Sequence, residues 1–128
     1  MFHRSAHRPP AQGQVELLPE YTEALSDLDG FERIWLIFCF DRSEGYRLRL
    51  VPRSDTVERG LFATRAPYRI NPIGLTTVRL LVVEGNVLTV EGVDMLDKTP
   101  LLDIKPYIPR SDSHPDSRTG WLEKVRRD

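Results

Sequence analysis

A chain of 128 residues has room for one domain with one real core, and 40% apolar with 29% charged residues places it among globular rather than disordered proteins. No apolar run approaches the roughly 18 residues of a membrane span and no apolar signal-peptide core opens the chain, so no membrane partner is read and a cytoplasmic location is expected. A formal net charge of −1 argues against coating nucleic acid by bulk charge but leaves room for local basic patches.

Residues 1–13, "MFHRSAHRPPAQG", are polar and carry Arg4, Arg8, His3 and His7 without an acid, which reads as a basic arm or loop. "QVELL" (14–18) fits a short strand. "LPEYTEALSDLDG" fits a short helix, with Pro19 in its first turn, Tyr21, Leu25 and Leu28 on one face, and Gly30 closing it. "ERIWLIFCF" (32–40) is a nearly continuous apolar strand, the pattern of one covered on both faces. "YRLRLV" (46–51) alternates, with Tyr46, Leu48 and Leu50 on one side and Arg47 and Arg49 on the other. In "TTVRLLVVEGNVLTVEGVDML", two β-rich runs flank Glu84-Gly85-Asn86, a hairpin signal. "LLDIKPYI" (101–108) is a last strand interrupted by Pro106, and residues 109–128 form a polar tail containing "GWL". Short strands with turn chemistry between them predict an all-β barrel or coiled sheet with one short helix, in a single domain spanning 1–128.

The glycines never form G-x-G, so neither a dinucleotide fingerprint nor a phosphate-binding loop is available. Cys39 is the one cysteine, which excludes an internal disulfide, and its apolar setting reads as a small buried hydrophobe. His3 and His7 are four apart on the polar arm, a poor metal scaffold, and no metal is expected.

Two segments stand out. "LFATRAPYRINPIGL" (61–75) holds Arg65 and Arg69, while Pro67 and Pro72 rule out a continuous helix. Ala66 and Asn71 each precede a proline and are biased to extended backbone. This shaped path suits a rigid phosphate or carboxylate clamp, and surface ion pairs suit it comparably well. "DMLDKTPLLDIKPY" (94–107) gathers Asp94, Asp97, Asp103, Lys105 and Tyr107. Here Asp94 and Asp97 read as turn residues with Asp103 paired to Lys105, or the group reads as a polar site at strand ends.

Both segments resemble a known family. "GLFATRAPYRINPIGLTTVRLL" (60–81), "VEGVDMLDKTPLLDIKPYIP" (90–109) and "GQVELLPEYTEALSDLDGFERIWLIFCF" (13–40) are similar, in order, to the motifs of the TrmO (TsaA, YaeB-like) family of S-adenosylmethionine-dependent tRNA methyltransferases. The tail "SRTGWL" fits as well. The resemblance implies a YaeB-like, non-Rossmann all-β fold and a homodimer with the methyl donor S-adenosylmethionine near the subunit interface. It implies methylation of the exocyclic nitrogen of threonylcarbamoyladenosine beside the tRNA anticodon.

Carried over by position, the resemblance implies a donor site of Pro10, Ala11, Gln12, Phe40, Asp41, Arg65, Leu75, Val93, Asp94 and Leu96. It places Asp103, Lys105 and Tyr107 at the chemistry, and Arg69 and Asn71, with the arm's Arg4 and Arg8, on substrate or RNA. Departures from the family pattern fall at Ala11 (arginine in the motif), Asp41 (histidine), Ile70 (proline) and Lys98 (glycine). A donor-binding module without tRNA methylation, or a methyltransferase on another substrate, would carry the same residues.

Overall fold

The computed structural model describes residues 2–5, 12–41, 43–92 and 99–125, with side chains from residue 12 onward. The chain divides into two units, residues 1–41 with 73–107 and residues 42–72 with 108–128.

The first unit is an antiparallel six-stranded sheet. Its strands are β1 (Phe2–Ser5), β2 (Gln12–Glu16), β3 (Arg33–Cys39), β6 (Ile73–Glu84), β7 (Val87–Glu91) and β8 (Leu101–Pro106), in the order β1-β2-β7-β6-β3-β8. The hydrogen-bond order leaves β1 and β8 as edges, so the sheet is open, and the all-β, non-Rossmann expectation holds. Ile34 and Leu36 of β3 are fully buried and join Val15, Leu25, Phe38, Val78, Leu80, Leu88 and Val90 in one core. Burial of each such side chain stabilises by about 1.5–3 kcal/mol before entropy is counted.

The hairpin falls where the sequence placed it. β6 ends at Glu84, β7 starts at Val87, and Gly85 takes φ 59 at the first loop position, as a type II′ connection requires. Asn86 Nδ2 donates to Leu17 O at 2.6 Å and Leu17 N–H donates to Asn86 O at 2.9 Å, tying the turn to the end of β2. The predicted short helix is a 3-10 segment, Pro19–Leu25, with Pro19 at its start. Leu25 is buried and Leu28 packs on the core, but Tyr21 is exposed. The chain turns out at Asp27, φ 69, rather than at Gly30.

Two expectations for this unit are corrected. The arm is not a loop throughout: Phe2–Ser5 pairs with β2, because backbone pairing to a strand edge needs no apolar pattern. β3 is not covered on both faces. Ile34, Leu36 and Phe38 are buried, whereas Trp35, Ile37 and Cys39 are half-buried and Arg33 is exposed. The neighbours of that second face, Leu75, Asp103 and Lys105, are themselves exposed, so apolar composition alone did not mark a core face.

In the second unit, β4 (Arg49–Leu50) pairs antiparallel with β5 (Arg59–Gly60). The alternation at 46–51 predicted a longer strand, but the ladder is two residues long and Tyr46 and Leu48 are exposed. Leu61, 3% exposed, is the buried residue among those described in this unit and opens a 3-10 turn, Leu61–Ala63. Beyond residue 107 come a one-turn helix, α1 (Pro109–Asp112), and a 3-10 segment, Gly120–Lys124.

Gly74 on β6 tests the packing. A Cβ there would lie 2.6 Å from Phe38 Cζ and 2.7 Å from Phe40 Cζ. Phe38 is buried in the core and Phe40 packs against it, so Gly74→Ala is expected to destabilise by about 1–3 kcal/mol in chemical denaturation with an unchanged m-value.

Candidate functional site

The register of β3 with its two neighbours assembles one end of the sheet. Ile37 pairs with Leu75 on β6 and with Asp103 on β8, so these three side chains share a row and a face. β3 then runs into Phe40 and Asp41. Phe40 is half-buried with its ring 5.2 Å from that of Phe38 in an edge-to-face contact, and Asp41 is exposed. Leu75 is 60% exposed despite being apolar. Asp103 Oδ1 accepts from Ile104 N–H at 2.8 Å, and its Oδ2 lies 3.5 Å from Lys105 Nζ. Both side chains are exposed, so this ion pair holds them loosely and leaves them available to a ligand.

Lys105 pairs with Trp35, one step along the same face. Tyr107 N–H donates to Arg33 O at 3.1 Å, and its ring lies 5.7 Å from that of Trp35. Gln12 pairs with Glu91, which pairs with Arg79, which pairs with Arg33. Gln12 is therefore level with Arg33, four residues along β3 from Ile37, or about 13 Å at strand rise. The structure brings Leu75 and Asp103 together and does not bring Gln12 into that row. Pro10, Ala11, Val93, Asp94, Leu96 and Arg8 lie outside the described residues, as does the side chain of Arg4.

The second unit shapes the arginine-bearing stretch. Arg69 Nη1 donates to Thr64 O at 2.8 Å and to Ala66 O at 3.1 Å, so Arg69 staples its own loop. Arg65 and Asn71 are exposed, and no carboxylate of the described residues lies within ion-pair distance of Arg65. Trp121 of the "GWL" tail donates from Nε1 to Ala63 O at 2.9 Å, and the Arg59 guanidinium lies 5.0 Å from the Trp121 ring centre. Arg59 Nε is also 2.7 Å from Asp55 Oδ2, while Asp55 Oδ1 accepts from Thr56 N–H and Val57 N–H. Sequence reading passed over this chain of contacts. The i, i+4 spacing of Asp55 and Arg59 is a weak local signal, and nothing local announces that Trp121 returns to residue 63.

The hydrogen bond from Arg59 holds the Asp55 carboxyl below its ordinary range, aided by the two backbone N–H groups. A depressed folded-state value stabilises fully above the unfolded value of about 3.9 and is lost as pH falls through the folded one. Asp55→Asn is therefore expected to lower Tm at neutral pH, and the gap to the unsubstituted protein should shrink as the pH drops below that of an ordinary carboxylate. A gap independent of pH would place the effect elsewhere.

The family model for the tRNA-methyltransferase O N-terminal domain matches residues 3–113. A probable S-adenosyl-L-methionine-binding protein of Pyrococcus abyssi is 49% identical over 113 residues, covering 88% of this chain and 61% of that protein. The tRNA (adenine(37)-N6)-methyltransferase of Mus musculus is 43% identical over 98 residues, covering 74% of this chain and 22% of the mouse protein. The crystal structure of TrmO from Pseudomonas aeruginosa superposes with a TM-score of 0.76 at 35% identity, covering 94% of this chain and 58% of that one. The chain thus spans about three-fifths of the Pyrococcus and Pseudomonas proteins. By the family match and by the structural likeness, this chain belongs to the tRNA-methyltransferase O N-terminal domain family.

Proposed function

We propose that this chain binds S-adenosylmethionine and directs its methyl group to the exocyclic nitrogen of threonylcarbamoyladenosine beside the tRNA anticodon. The observation that carries the reading is the row of Leu75, Ile37 and Asp103, in a family whose relatives are named for donor binding and tRNA methylation. A partly exposed apolar row beside the Asp103 carboxylate fits a ligand that combines an aromatic base, an aliphatic chain and a cationic sulfur. When bound, the donor supplies an electrophilic methyl on sulfonium.

The attacking nitrogen is a ureido N–H, a poor nucleophile until its proton leaves. Asp103 accepts that proton directly or through water, with the Tyr107 phenol as the other acceptor on this face. Lys105 pairs with the threonyl carboxylate. Arg65 is exposed, with no carboxylate of the described residues within ion-pair distance, and the family motif proposes it by position as a donor contact. Gln12 and Asp103 lie on strands four places apart in the sheet and in different rows, and a homodimer that buries on the order of 1,200 Å² or more and completes the site is part of the proposal. A cytoplasmic setting goes with a tRNA substrate.

The test uses methyl-labelled donor and tRNA from cells able or unable to make threonylcarbamoyladenosine. Label is expected only in tRNA that carries the modification, and Asp103→Asn should slow transfer at saturating donor by about 10²–10⁴. Equal label in both tRNAs would refute the proposed recognition. Donor binding with label in neither would make the chain a donor-binding module. Light scattering at micromolar protein should give twice the chain mass, and a monomeric mass would remove the completed-site reading.

A further inference from the structure

The near-neutral net charge conceals a strong division. Residues 1–41 and 73–107 carry six Arg and Lys against twelve Asp and Glu, a net of −6. Residues 42–72 and 108–128 carry twelve against seven, a net of +5. Of the acids within 42–72, Asp55 and Glu58 are already held by Arg59 and Arg49. Arg47, Arg53 and Arg65 are exposed, and no carboxylate of the described residues lies within ion-pair distance of them.

The same unit shows aromatic rings to solvent. Phe62 is 78% exposed, the highest among the large exposed apolar residues, and Tyr46 and Tyr68 are more than half exposed. Exposed apolar residues scattered singly need no explanation. These interleave along residues 46–68 with the exposed arginines that have no carboxylate of the described residues within ion-pair distance. Leu61 N–H donates to Leu48 O at 2.9 Å, and Arg47 precedes Leu48 while Phe62 follows Leu61, so the basic and aromatic residues flank one hydrogen bond. Phe62 is also held at a fixed place. The turn that carries it is closed by Thr64 N–H on Leu61 O and pinned by Trp121 on Ala63 O. An exposed ring carried on a pinned turn, with exposed guanidinium groups along the same segment, matches single-stranded nucleic acid, which offers base faces and phosphates together. An apolar protein partner would not call for the surplus positive charge.

We infer that this unit is an RNA-contacting surface, on which Phe62 stacks against an unpaired base while Arg47 and Arg53 neutralise phosphates. The inference rests on the tRNA reading above and assigns the contact to residues outside the donor row.

The experiment measures fluorescence anisotropy of the full chain with a labelled RNA stem–loop carrying an unpaired loop, and with a fully paired duplex of the same length. Phe62→Ala should weaken stem–loop binding about tenfold or more, with Phe62→Trp restoring it and duplex binding little changed. Arg47→Gln with Arg53→Gln should weaken both RNAs and make the dependence of log K on log salt shallower by about 1.5 to 2. Thermal unfolding and calorimetry with S-adenosylmethionine on the same samples should show folded protein with unchanged donor affinity. Stem–loop binding by the parent chain that none of these substitutions alters would overturn the inference and leave the tRNA reading standing. If the parent chain binds donor but no RNA, the tRNA reading itself fails. Loss of a dimer in Phe62→Ala, seen by light scattering with RNA affinity unchanged, would make the surface a self-contact and also overturn it.

Discussion

Strand β3 is hydrogen-bonded on both edges, to β6 and to β8, and the register of those two ladders is the constraint on which the rest of the first unit depends. It sends Ile34, Leu36 and Phe38 to the core and Trp35, Ile37 and Cys39 to the opposite face. A slip of one residue would reverse both sets, expelling side chains that are now fully or almost fully buried. The same register brings Leu75 and Asp103, 28 residues apart in sequence, to either side of Ile37. Core burial therefore specifies the candidate site: the free energy that fixes which residues go inside also fixes which residues share the outer row.

The second unit reaches a fixed shape by other means. With Leu61 as its buried residue among those described, it relies on directed polar contacts. Arg69 holds two carbonyls of its own loop, Trp121 holds Ala63, and Arg59 joins Trp121 to Asp55. The Arg69 and Trp121 hydrogen bonds each contribute on the order of 1 kcal/mol. This gives the proline-rich stretch a physical role. Pro67 and Pro72 restrict the backbone, Arg69 staples it, and Arg65 is left exposed with no carboxylate of the described residues within ion-pair distance. One of the two arginines in that stretch is occupied with building the loop that displays the other.

Local signals were legible and non-local ones were not. The Glu84-Gly85-Asn86 hairpin, the apolar run at 33–39 and the strand ending at Pro106 could all be read because turn chemistry and periodicity are local. The alternation at 46–51 misled, because a strand also needs a partner and β5 offers two residues. The alignment of Leu75 with Asp103 depends on β8 pairing with β3 rather than with the preceding strand β7, which composition does not encode. The opposed charges of the two units were hidden because each unit is built from two separated stretches, and the whole chain averages to −1. The family motifs pointed to Arg65, Leu75 and Asp103 by position, but not to the staples around them.

The most direct measurement is backbone amide NMR of the full chain titrated with S-adenosylhomocysteine, the demethylated product. Donor binding at the strand-end row predicts saturable shifts concentrated at Phe40, Asp41, Leu75 and Asp103, with the hairpin at Glu84–Val87 undisturbed. Shifts centred on the hairpin, or no response at that row when the ligand saturates the protein, would contradict it.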